Sequence, residues 1–89
     1  MRNDFSKALF SFQSGKHDEA KNICEEILKQ DNSNSQVFNL YAFILYYEKN
    51  FNAAIEKWLQ AIKINPNYKE AFNGCGNAYK NLNKLNEAV

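Results

Sequence analysis

A 34-residue self-similarity runs through the chain and limits its fold more than any other feature. Laid over 69–89, residues 35–68 set Phe38 on Phe72, Ala42 on Gly76, Leu45 on Tyr79, Phe51 on Leu85 and Ala54 on Ala88. Shifted by the same 34 residues the other way, Ala42 falls on Ala8, Phe51 on His17, Ala54 on Ala20 and Trp58 on Cys24, with no gap. A fixed period of this length marks supersecondary units stacked in an array. The 89 residues therefore divide into repeat one (1–34), repeat two (35–68) and a partial repeat three (69–89).

Within a unit the apolar spacing is helical. Phe38, Tyr41, Ala42 and Leu45 recur at i, i+3, i+4 and i+7, and Ala54, Ile55, Trp58, Leu59, Ala61 and Ile62 follow the same period. The polar stretch EKNFN separates the two runs, with Asn52 as the expected N-cap of the second. Pro66 ends that run and disfavours helical geometry at Asn65. Each unit thus reads as a helix, a short turn and an antiparallel helix. Gly76 shares its column with Ala8 and Ala42, opposite Ala20, Ala54 and Ala88. Small residues facing each other let two backbones approach, so Gly76 is expected to be the packing glycine. Gly74 aligns with Leu40 and Ser6 and is given no packing role beyond leaving room on the groove side.

Composition narrows the function. A 45% apolar share and a net charge of +1 describe an ordinary globular chain with no long-range pull on nucleic acid or on an anionic membrane surface. No apolar run approaches the ~20 residues of a membrane span, and the opening MRNDFSKALFSFQSG has no continuous apolar core of a signal peptide. Cys24 and Cys75 lie in unlike contexts in different repeats, beyond disulfide reach, which fits a reduced, cytoplasmic chain.

The unit resembles the tetratricopeptide repeat (TPR). Repeat two carries Phe38, Tyr41, Ala42, Leu45, Ala54, Trp58, Ala61 and Pro66 at all eight signature positions. Repeat three carries Phe72, Cys75, Gly76, Tyr79 and Ala88. Repeat one keeps Ala8 and Ala20 but places Asp4, Lys7 and Ser11 at usually apolar positions, Ile27 at a small one and Asn32 for the proline. Its first helix carries Phe5, Ala8, Leu9 and Phe12 instead, a stripe that reads as rotated. The resemblance implies an all-α fold of helix-turn-helix repeats stacked as a right-handed α-solenoid, its first helices lining a concave groove. Since the pattern stops inside repeat three, two or three residues into its second helix, the expectation is a fragment of a longer protein. Its uncovered C-terminal face (Phe72, Cys75, Tyr79) would then recruit another chain.

No catalytic constellation is visible. The one histidine, His17, aligns with Phe51 and Leu85 and reads as turn packing, while both cysteines align with core positions. Four zinc ligands at close spacing and a phosphate-binding glycine loop are absent, so no enzyme, cofactor or metal is expected. What remains is protein binding.

The resemblance implies a peptide-binding groove at Asn39, Leu40, Phe43, Tyr46, Tyr47, Asn73, Asn77 and Lys80, with Gln36, Glu70 and Asn81 beside them and Arg2, Phe5, Leu9 and Phe12 joining from repeat one. Rings give contact area, and amides bond a peptide backbone. For Phe43, Tyr46 and Tyr47, packing against neighbouring helices stands as the alternative. The family's clamp for chaperone C-terminal carboxylates is not matched: its cationic and amide positions hold Phe5, Leu9, Leu40, Glu70 and Gly74. The stretch GCGNAYKNLNKLNEAV looks more like repeat arrays attached to O-linked glycosyltransferases. Three functions follow as expectations: a scaffold that binds a peptide or another repeat chain, a non-catalytic arm of a larger enzyme such as a glycosyltransferase, or a self-assembly module forming homo-oligomers through the C-terminal face.

Overall fold

The computed structural model describes residues 5–87, with side chains as far as residue 84. Five helices follow in order: α1 (Phe5–Gln13), α2 (His17–Gln30), α3 (Ser35–Tyr47), α4 (Phe51–Ile64) and α5 (Lys69–Glu87). Among the described residues there is no strand. Each helix packs on its chain neighbours, and α1 and α5 also touch α3. Helices α1, α3 and α5 therefore form one layer, backed by α2 and α4, in a slab of 47 × 29 × 18 Å. This is an all-α repeat solenoid.

The period recurs in the backbone hydrogen bonds. Lys16 N–H donates to Ser11 C=O at 2.8 Å, and Asn50 N–H to Leu45 C=O at 2.9 Å, one repeat later. Each of these turns is closed by a residue in the left-handed region, Gly15 at φ 83° and Lys49 at φ 66°. The junctions between repeats match as well: Asp31 Oδ1 accepts from Ser33 N–H, and Asn65 Oδ1 from Asn67 N–H, each at 3.2 Å. Side-chain capping by asparagine occurs at α3, where Asn34 Oδ1 accepts from Val37 N–H. The expected cap at Asn52 is not found. Helix α4 begins at Phe51 behind Asn50, and Asn52 already lies inside it.

Two buried clusters make the core. The first gathers Ala8, Ala20, Cys24, Val37, Leu40 and Ile44 around α1–α3. The second holds Ala42, Ala54, Trp58, Ala61, Ala71, Cys75 and Ala78, among others, from α3 to α5. The columns of small residues in repeats one and two are fully enclosed, and Trp58 is the largest fully buried side chain. Removing ring and alkyl surface of this kind from water is the main stabilising contribution, roughly 25 cal/mol per Å².

Three sequence expectations are corrected. Helix α1 is not rotated. Ala8 and Ser11 are buried at the repeat positions of Ala42 and Leu45, and the Ser11 hydroxyl meets its need by donating to Glu19. Phe5, Leu9 and Phe12 instead turn toward the concave side; Arg2 and Asp4 lie outside the described residues. Second, the glycines exchange roles. A Cβ on Gly74 would press into the Trp58 ring, the farthest of three ring atoms being 2.9 Å away, whereas one on Gly76 would meet nothing within 4 Å. The close approach is thus between repeats, and the column seen in the sequence was the one within a repeat.

Third, repeat three does not turn where its predecessors do. Asn83 holds the slot of Gly15 and Lys49, yet α5 continues as helix to Glu87. The side chain of Leu85 and all of Ala88 lie outside the described residues. Along α5 the inner residues Ala71, Gly74, Cys75 and Ala78 are buried. Phe72 (51% exposed) and Tyr79 (48%) stay open, as expected, but Cys75, expected to be uncovered with them, is enclosed against α4.

Candidate functional site

The sequence gives the inner layer its groove. On α1, the helical period brings Phe5, Leu9 and Phe12 to one side. On α3 the same period presents Gln36, Asn39, Leu40 and Phe43, and Tyr68 and Glu70 close the far end at the start of α5. Together these nine residues line a groove of about 370 Å³ on the concave face, within the size range of ligand sites.

Asn39 is the polar hinge of this groove. It is 8% exposed, and its Oδ1 accepts a 2.8 Å hydrogen bond from Trp58 Nε1. An indole N–H can only donate, so this contact fixes the amide with its NH₂ turned away from Trp58. Burial, followed by the Glu70 charge, raises the Tyr68 pKa, and the neighbouring Asn39 side chain offsets only part of that rise. Asn39 thereby ties the groove floor to the Trp58 core. It is a buried polar group whose bonds are made, the condition under which such a group is tolerated.

Of the predicted groove residues, Asn39, Leu40 and Phe43 line this cavity, as do Gln36 and Glu70, expected beside them, and Phe5, Leu9 and Phe12, expected to join from repeat one. Leu40 is largely buried in the first core cluster, and Phe43 meets Trp58 edge-on with centroids 5.1 Å apart. Tyr46 lies in an aromatic cluster with Tyr47, Phe51 and Trp58, and its hydroxyl accepts from Asn81 Nδ2 at 2.9 Å. Tyr47 is 61% exposed beside Phe12. Asn73, Asn77 and Lys80 are exposed on α5 and do not line the cavity. Tyr68, which does, went unpredicted. Its signal was its place at the end of repeat two, directly before α5.

Elsewhere the titratable groups are structural. His17 stacks near Phe12, centroids 5.4 Å apart. Cys24 and Cys75 are free and buried in different clusters, and burial, with a smaller push from Glu25, raises the Cys24 thiol to about 12. Such a thiol is a packing group at neutral pH and a poor nucleophile. Among the described residues no group of three His, Cys, Asp or Glu could hold a metal ion, and no helix is long and apolar enough to cross a membrane.

Comparison with known proteins adds the following. A family model described as TPR repeat matches residues 43–83. Over 77 residues the chain is 32% identical to the UDP-N-acetylglucosamine–peptide N-acetylglucosaminyltransferase of Caenorhabditis elegans, an alignment covering 86% of this chain and 7% of that protein. The human DnaJ homolog subfamily C member 7 is 30% identical over 64 residues, 72% of this chain and 13% of that one. The chain thus spans only a small part of the length of these relatives. Among solved structures, the second TPR of Spaghetti (RPAP3) bound to the HSP90 peptide SRMEEVD superposes with a TM-score of 0.87 at 26% identity, covering 96% of this chain and 79% of that one.

Proposed function

The chain belongs to the tetratricopeptide repeat family, and from that premise we propose that it is a protein-interaction module holding an extended peptide segment in the groove between α1, α3 and α5. One observation carries this reading: the groove combines apolar walls with hydrogen-bonding side chains at one end, and it lies on the inner layer of repeats. Apolar side chains of a peptide would gain contact area on Phe5, Leu9 and Phe43, while Gln36 and Tyr68 offer polar groups to its backbone. The solved neighbour that holds a peptide supports the same use. The chain's part is recruitment and not catalysis. Its two buried thiols are in keeping with work in the cytoplasm.

Gln36 is exposed and lines the groove. Gln36→Trp should fill it without touching the core. The test is fluorescence anisotropy with peptides selected from a random library. Loss of binding in a variant of unchanged helicity supports the groove, and unchanged affinity contradicts it.

A second reading is favoured by the similarity to a glycosyltransferase. There the same groove would serve as the non-catalytic arm of a larger enzyme and present a polypeptide to a catalytic domain elsewhere. A self-assembly role rests on the open Phe72–Gly76–Tyr79 stripe of α5; it predicts a mass in solution that rises with concentration and falls when Phe72 and Tyr79 are made polar.

A further inference from the structure

We propose that the groove selects a peptide carrying apolar side chains toward α1 and a lysine or arginine toward the start of α5. The inference rests on the peptide-binding reading and specifies its partner.

The groove is chemically polarised. Its α1 end is walled by Phe5, Leu9, Phe12, Leu40 and Phe43. Its other end opens past Gln36, Tyr68 and Glu70 into a second, shallower depression of about 530 Å³, lined by these same three residues and by polar groups of the two repeat junctions, Asp31 among them. The two depressions therefore form one continuous track. Among the described residues, the charged ones along it are acidic, Asp31 and Glu70, and no Lys, Arg or His lines either part, in a chain whose net charge is +1.

The two carboxylates differ in their surroundings. Asp31 Oδ1 already accepts from Ser33 N–H and Oγ. Glu70 has no ion-pair partner among the described residues, and its charge is felt at Tyr68. An incoming cation completes Glu70, whereas an incoming carboxylate meets repulsion that no Lys, Arg or His among the described lining residues offsets. The HSP90 peptide held by the solved neighbour, SRMEEVD, carries three acidic side chains, and it is the kind of ligand this track should reject. Complementary charge at a groove rim acts mainly through selectivity and association rate. The apolar end supplies contact area, and Glu70 fixes direction along the track.

The test is selection of a random heptapeptide library on the immobilised chain, followed by anisotropy of the recovered peptides against wild type, Glu70→Lys and Gln36→Trp, each checked for helicity. The expected result is enrichment of aliphatic or aromatic residues paired with Lys or Arg, and depletion of Asp and Glu. Glu70→Lys should weaken these peptides about fivefold or more, the size expected when an exposed rim pair becomes a like-charge pair, and should improve SRMEEVD. Recovery of acidic peptides that Gln36→Trp blocks would overturn the charge selection and leave the groove standing. Peptides that bind Gln36→Trp as well as wild type, or no recovery of any peptide, would overturn the groove itself.

Discussion

The two junctions between repeats solve one packing problem with the large and small partners exchanged. At the first, Cys24 on α2 and Leu40 on α3 share a core cluster. At the second, 34 residues on, Trp58 replaces the cysteine and Gly74 replaces the leucine, and the indole fills the space that a side chain at Gly74 would need. Interiors are packed to crystal-like density, so the sum of the two sizes is what the junction conserves. The lesson is that a repeat's small columns are read within a unit, but its size compensation is read across units. Helix α5 shows both sides of this: Gly74 faces a filled junction, and Gly76, two residues away, faces open space.

Breaking the second junction should have the largest effect. Trp58→Ala empties a fully buried site and leaves Asn39 Oδ1 without its donor. A cost of about 3–5 kcal/mol is expected for the ring, with a further ~1–3 for the orphaned acceptor. Denaturant titration followed by circular dichroism should find little or no cooperative transition left. Gly74→Leu should come next, costing about 3 kcal/mol by overpacking. The exchange itself is sharpened by the double variant Trp58→Cys with Gly74→Leu, which rebuilds the first junction's pair at the second. It should be more stable than the sum of the two single changes predicts, a coupling that a double-mutant cycle measures directly.

Smaller effects separate the two faces of α5. Gly76→Ala should raise the melting temperature, because helix propensity gains about 1 kcal/mol and the new methyl meets no neighbour. Gly74→Ala carries the same propensity gain and should still be destabilising. Least of all, Tyr47→Ala should change stability by no more than about 0.5 kcal/mol, as is usual for an exposed position. A large drop in its melting temperature would place Tyr47 in the aromatic core with Tyr46.

Much of this architecture was legible because repetition multiplies weak signals. Ala8, Ala20, Ala42 and Ala54 each say little, but at 34-residue spacing they mark buried columns, and the structure encloses all four. What escaped the sequence depended on directions that spacing does not carry. Gly74 required knowing that the Trp58 ring points into the next repeat. Asn39 reads as surface because it is polar, and only its pairing with an indole 19 residues away lets it be buried. Phe5, Leu9 and Phe12 fit both a rotated core stripe and a groove wall, and spacing alone does not decide for the wall that α1 presents. The unbroken α5 was missed because a turn was inferred from its two predecessors, and in both of those a second helix returns against the first.

The account's central claim is that the concave groove, and not the open stripe of α5, is where a peptide is held. The most direct measurement is ¹H–¹⁵N chemical-shift mapping of the chain titrated with the strongest heptapeptide from the library selection. The account predicts shifts clustered on α1, on Gln36–Phe43 of α3 and on Tyr68–Glu70. Shifts clustered instead on Phe72, Gly76 and Tyr79, with the groove amides unmoved, would contradict it.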